Sequence, residues 1–199
     1  IELKKFKNMD SGHVKLAAAD FDNIGYRINT GSGSASTTDL YFQPGKVVKN
    51  ADGTQSVSFE LKSSDSAKTA AIVHQYLVKP NDYMLDFEVQ LNSADKLLTQ
   101  GVMNLTWNYT AAQQESDIDF EKQNTQVGFL EDGEFDYFTV GNRSSVDFSK
   151  PVKWIGMRQR FFNSYLIAKD NFSSGQMTWE VPSNDKKIIA QAVSNMRVQ

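Results

Sequence analysis

Apolar and polar residues alternate along much of this chain. Between residues 83 and 91, Tyr83, Leu85, Phe87, Val89 and Leu91 fall on one face of an extended segment, and Met84, Asp86, Glu88 and Gln90 fall on the other. Met103, Leu105, Trp107 and Tyr109 repeat the pattern, with Asn104, Thr106 and Asn108 opposite. Val57, Phe59 and Leu61 alternate with Ser58 and Glu60, and Met177, Trp179 and Val181 with Thr178 and Glu180. A period of two with one wet face predicts half-buried strands of antiparallel sheets. Residues 72–78 are apolar on both faces (Ile72, Tyr76 and Val78 against Val73 and Leu77), which predicts a strand inside the structure. Residues 135–140 read the same way.

Turn signals separate these runs. Asp52-Gly53 predicts a hairpin between Val47-Val48 and Val57. Pro80-Asn81-Asp82 leaves no room for a crossover helix, so the strands on either side should be antiparallel. Asp132-Gly133 precedes Phe135, and Pro44, Pro151 and Pro182 lie at run boundaries, where a missing N–H does least harm. The stretch GSGSASTT at 31–38 reads as a domain linker or, in preference, a mobile loop within one domain, since the thirty or so residues before it read as strands too. Residues 186–195 fit helix or strand. Trp154, Ile155, Phe161, Phe162, Tyr165 and Leu166 have helical spacing, whereas Gly156 and the aromatic content favour a strand. The expectation there is a short helical or irregular start, then a strand over 162–168. The whole reads as one all-β domain over residues 1–199, with few short helices.

Composition narrows the chemistry. A chain of 199 residues buries enough surface for a core without staples, and thirteen Phe, seven Tyr and three Trp argue against disorder. The absence of Cys removes disulfides, thiolate zinc sites and Cys nucleophiles; it suits a thiol-oxidising space such as a periplasm but is equally compatible with cytosol, so it does not fix the compartment. A net charge of -3 gives no general attraction to phosphate backbones, so no nucleic-acid partner is expected. No apolar run approaches the roughly 18 residues that span a bilayer. The chain starts at Ile1 instead of Met, which reads as a piece of a longer protein.

Candidate catalytic groups are few. His13 and His74 have no metal-ligand spacing around them, and His74 reads as a structural histidine within a strand. Glu115, Asp117, Asp119 and Glu121 are spaced by two and would share one face if extended, with Glu131, Asp132, Glu134 and Asp136 following. Calcium binding is the functional reading. A solvated strand face with acidic loops is the plainer one, because carboxylates two apart on a strand sit roughly 6–7 Å from each other. Lys150, Lys153, Arg158, Arg160 and Lys169 form a basic segment that either pairs with the acidic run or faces an acidic partner. No nucleophile elbow occurs, and Gly31-Ser32-Gly33 lacks the context of a nucleotide loop. Sequons at Asn104, Asn108, Asn142 and Asn171 would carry no meaning if the protein were bacterial, and two of them fall inside a predicted strand. No catalytic, metal or cofactor residue is assigned, no cofactor is implied, and the binding surface is left open.

The segment KPVKWIGMRQRFFNSYLI at 150–167 resembles a stretch near the end of the large periplasmic domain of YidC-type membrane-protein insertases, with Trp154, Gln159, Phe161 and Phe162 carrying the likeness. IELKKFK at 1–7 and TDLYF at 38–42 resemble further strands of that family, and the runs at 83–91 and 103–109 sit where it has long paired strands. The resemblance implies an antiparallel β-supersandwich similar to galactose mutarotases, on the periplasmic side of a Gram-negative inner membrane. The parent would be a multi-pass protein that helps nascent membrane proteins insert. This domain would be a non-catalytic accessory that contacts SecD and SecF. It also implies a strand upstream of Ile1 and further elements after Gln199, so the chain would be trimmed at both ends, with Ile1 and Gln199 at sheet edges or with those edges covered.

Two other readings stand beside it. A sugar-binding or mutarotase-like protein would bring a His and a carboxylate together in an open cleft lined with Trp. An unrelated adhesin-like sandwich would show seven strands in immunoglobulin order.

Overall fold

The computed structural model describes residues 1–31, 33–62, 70–141, 143–183 and 187–199. In chain order the strands are β1 (Glu2–Lys7), β2 (His13–Lys15), β3 (Asn23–Thr30), β4 (Gly33–Ser36), β5 (Gln43–Pro44), β6 (Val48–Lys49), β7 (Gln55–Lys62), β8 (Ala70–Val78) and β9 (Leu85–Leu91). They continue with β10 (Met103–Ala112), β11 (Gln126–Glu131), β12 (Glu134–Thr139), β13 (Ser145–Phe148), β14 (Val152–Arg158), β15 (Asn163–Phe172), β16 (Ser174–Glu180) and β17 (Ile188–Val198). Two short helices accompany them, α1 (Ala94–Leu97) and α2 (Ile118–Gln123). Every strand pair among the described residues is antiparallel, so the chain is an all-β protein as its alternation predicts.

The chain divides into two compact units, one formed by Ile1–Tyr26 and Val102–Gln199, the other by Arg27–Gly101. The first is a sandwich. One sheet runs β13-β16-β17-β10 and then the start of β3; the other runs β12-β11-β14-β15. Large and small residues alternate across the inner face of the first sheet. In register, Ser194 lies between Trp107 and Met177, and Ala192 between Tyr109 and Trp179. The small residues of β17 leave room for the rings on either side. Gly175 does the same for Met196, whose Sδ would stand 2.6 Å from a Cβ at that position. Val127, Phe129, Ile155 and Met157 of the second sheet are buried. The Ser164 hydroxyl on β15 donates to the buried Tyr109 hydroxyl on β10 at 2.9 Å, tying the two layers together. Burial pushes the Tyr109 phenol up to about 12.

The second unit holds the sheet β5-β7-β8-β9, with β6 also on β7. Val57, Phe59 and Leu61 share a face with Ile72, His74 and Tyr76 and with Phe87, Val89 and Leu91, by the register of the three strands. His74 stacks on Phe42 (centroids 4.4 Å apart) and meets the edge of Phe87 (5.3 Å). It is the structural histidine the sequence suggests, and burial lowers its pKa.

Local outcomes differ from expectation in informative ways. The hairpins at Asp52-Gly53, Pro80-Asn81 and Asp132-Gly133 form as expected. Asp132 and Gly133 both take positive φ (53° and 82°), as a tight two-residue turn requires. Residues 33–36, expected in a mobile loop, are β4, paired to the second half of β3; Ser32 lies outside the described residues. The ambiguous segment before the C-terminus is strand β17 from Ile188, with Lys186 outside the described residues, as is the Asn142 sequon. In place of the expected helical or irregular start at Trp154, residues 152–158 form strand β14, because its apolar residues pack on two faces and not along a helical stripe; the pairing shifts register only between Val152 and Trp154. The run at 135–140 is interior only in part: β12 is an edge strand with Phe135 and Tyr137 exposed, while Phe138 packs on Phe129 and Trp179 and Val140 is buried. β1 pairs with β2 alone among the described strands, whereas β17 is covered on both edges by β10 and β16.

Candidate functional site

The acidic run is not extended. Asp117 caps α2, its carboxylate accepting from Phe120 N at 3.0 Å, and the helix swings Glu121 inward until it is 1% exposed. There the Glu121 carboxylate accepts from Gln114 N (3.0 Å), Glu115 N (3.2 Å) and Gln159 Nε2 (2.9 Å). Gln159 also donates to the Ala112 carbonyl at 2.8 Å. One buried side chain from the 159–162 turn thus fixes α2 and the 112–115 segment in a single network. Desolvation raises the Glu121 pKa; the hydrogen bonds from Gln114, Glu115 and Gln159 oppose the rise without cancelling it.

Around this junction the basic segment is largely spoken for. Arg160 Nη1 meets Glu115 Oε2 at 3.1 Å and its guanidinium lies over Phe120 and Phe161, 4.7 Å from each centroid. Lys150 pairs with Asp132 at 3.0 Å, while Glu131 accepts from Ser149 N and Lys150 N. Lys153 donates to the carbonyls of Lys169 and Asp170. Internal compensation, the plainer expectation, accounts for Arg160 and Lys150. Among the described residues no group of three or more His, Asp or Glu is placed to hold a metal ion.

The outer face of the β12-β11-β14-β15 sheet is aromatic. Its central row, in register across four strands, is Tyr137, Gly128, Gly156, Tyr165. The next row is Phe135, Leu130, Trp154, Ile167. The glycines let large neighbours lie down on the sheet. A Cβ on Gly156 would collide with the Tyr165 ring, and one on Gly128 would stand 3.1 Å from Arg158 Cδ. Phe135 packs on Tyr137 (5.9 Å) and Trp154 (5.8 Å), Trp154 on the Tyr165 edge (5.1 Å), and Arg158 caps Phe135. Phe135, Tyr137, Tyr165 and Ile167 are all exposed. Sequence reasoning expects polar outer faces and misses this one. The signal was the doubly apolar run at 135–140, which reads equally as a buried strand or as an exposed aromatic face.

His13 contacts the Glu2 carboxylate, and both line an open depression with Lys15, Asp22 and Gln113. The hydrogen bond to His13 lowers the Glu2 pKa. No lining residue is a Trp, so the observation that would favour sugar chemistry is not met. Residues Trp154, Gln159, Phe161 and Phe162 do not converge on one site. Trp154 belongs to the aromatic face, Gln159 is the buried bracket, and Phe161 and Phe162 form a turn whose Phe162 meets Phe6 edge-on at 5.7 Å.

Fold and surface together define an antiparallel β-sandwich protein with a patterned aromatic face and an internally braced turn. A family profile described as the YidC periplasmic domain matches residues 1–199, and the chain belongs to that family. Among curated relatives, a membrane protein insertase YidC of Phocaeicola vulgatus is 24% identical over 179 residues, covering 88% of this chain and 28% of that protein. The YidC insertase of Bacteroides fragilis is 24% identical over 173 residues (85% of this chain, 27% of the relative). That of Chloroherpeton thalassium is 23% identical over 161 residues (77% and 27%). The chain thus spans little more than a quarter of these relatives. No solved structure gives a significant match. No helix among the described residues is long and apolar enough to cross a membrane.

Proposed function

We propose that this chain is a non-catalytic docking domain on the periplasmic side of an inner-membrane insertase. Its aromatic sheet face engages accessory components of the Sec translocon, SecD and SecF, while the rest of the parent protein receives nascent membrane proteins. The family match supports the setting. The observation that carries the docking role is the face itself: exposed Phe135, Tyr137, Tyr165 and Ile167 beside Trp154, laid in register over a Gly128–Gly156 floor. Contiguous exposed aromatic surface of this kind is a feature of protein–protein contacts, where aromatic residues and Arg are enriched. Arg158, over Phe135, supplies the cation.

The test is co-purification of SecD and SecF with the full-length parent carrying Phe135→Ser and Tyr165→Ser together. Both side chains are exposed, so the fold should survive. Loss of SecD and SecF with normal parent levels is the expected result. Unchanged recovery would refute the docking role of this face.

A further inference from the structure

Strand β9 is an outer strand unlike the others. Among the described residues it pairs with β8 alone, and no other element runs alongside it. Its ladder has seven residues without a bulge, and it holds no Lys, Pro or Gly. Each other outer strand is cut short or interrupted. β2, β4, β5, β6 and β13 have four residues or fewer. β1 bulges between Leu3 and Lys7 and carries Lys4, Lys5 and Lys7. β15 slips register against Val152 and Trp154. On β12 the Asp136 carboxylate accepts from Tyr137 N at 2.7 Å. Short length, bulges and lysines keep open sheet edges from pairing with other chains, and β9 has none of them.

Register shows which of its groups face outward. Asn92 N donates to the Ala71 carbonyl at 2.9 Å, and the two residues are directly opposite when the Ile72–Leu91 pairing is continued. The pairs that exchange hydrogen bonds with β8 therefore take in Gln90, Glu88 and Asp86. The N–H and C=O groups of Leu85, Phe87, Val89 and Leu91 point the other way and have no partner among the described residues. Such a row of donors and acceptors, repeating at every second residue, is matched by another extended chain. Side chains set the character of that chain. Phe87 and Val89, half-buried on one face, favour apolar neighbours. On the other face Asp86 already holds Lys79 at 2.9 Å, whereas exposed Glu88 accepts from Gln90 Nε2 at 3.1 Å and meets no cation among the described residues. A Lys or Arg opposite Glu88 would supply it. A second copy of this chain fits poorly, because pairing two β9 strands over their full length sets Glu88 against Glu88. We propose that β9 takes up, as an added antiparallel strand, an extended segment of a partner polypeptide in which apolar and basic residues alternate. β9 lies in the unit of Arg27–Gly101 and the aromatic face in the other, so the two proposals fail independently.

The test titrates the 199-residue chain with a capped peptide of alternating valine and lysine, as long as β9, and locates binding by NMR amide shifts. In the antiparallel arrangement the valine amides face β9 and the lysine amides face solvent. Two N-methylated versions of the peptide therefore separate main-chain pairing from charge attraction. Saturable binding with shifts at Leu85, Phe87 and Val89 is expected. Methylating the valine amides should weaken it by roughly tenfold or more, and methylating the lysine amides by less than about twofold. Val89→Pro removes an outward donor and no bond to β8, and should weaken binding roughly tenfold. Glu88→Lys, at an exposed position where the fold survives, should weaken it about fivefold and favour a valine–glutamate peptide instead. Equal effects of the two methylations, or a loss confined to the lysine set, would overturn the proposal. So would absence of saturable binding, shifts located elsewhere, or self-association of the chain through β9.

Discussion

At the level of single residues, the buried Gln159–Glu121 pair explains why a turn and a helix distant in sequence stay together. Gln159→Ala removes donors to Glu121 and to the Ala112 carbonyl, leaving the buried carboxylate and the part-buried carbonyl each one donor short. A loss of about 2 kcal/mol is expected, read by chemical denaturation. Glu121 also sets a pH dependence. Its folded pKa is raised, so the folded state holds the proton more tightly than the unfolded chain, and stability falls as pH rises from 4.5 through the raised value. His74 works in the opposite sense. Its folded pKa is lowered, so stability is lost as pH falls from 6.5 toward the lowered value. The two are separable, because Trp107, Trp154 and Trp179 all lie in the unit that holds Glu121 and none lies in 27–101. Tryptophan fluorescence melts should show the Glu121 trend, flattened in Glu121→Gln. The circular dichroism of the sheets should carry both trends, the His74 part being the one flattened in His74→Phe.

Among elements, the β14–β15 hairpin is the sharpest case. Gly156 stands directly opposite Tyr165, and a Cβ there would also lie 2.7 Å from the Ser164 carbonyl oxygen. Gly156→Ala is expected to cost about 2 kcal/mol. Adding Tyr165→Ala should restore only part of it, since the backbone oxygen remains; full rescue in a double-mutant cycle would show that the ring alone sets the constraint. Sequence legibility follows the same physics. Strands with one wet face (β7, β9, β10, β16) announce themselves by alternation, and hairpins by Asp-Gly and Pro-Asn. β17 reads ambiguously because Ala190, Ala192 and Ser194 carry little hydrophobic signal, the last two being small where neighbouring rings fit. β14 and β12 misled because an exposed aromatic face looks like a second buried one. Glu121 was illegible, since its burial depends on a helix cap and on Gln159, thirty-eight positions away.

For the whole molecule, family membership and the all-β architecture account for what the chain is, and the docking role proposed for it rests on the aromatic face. Photocrosslinking in cells measures this most directly. A photoreactive amino acid replaces Tyr137, Arg158 or Tyr165 in the full-length parent, with exposed Tyr83 and Tyr41 of the other unit as controls. Light-dependent adducts to SecD or SecF from the first three positions, and none from the controls, are the expected result. Adducts absent from the sheet face, or equal at all five positions, would contradict the account.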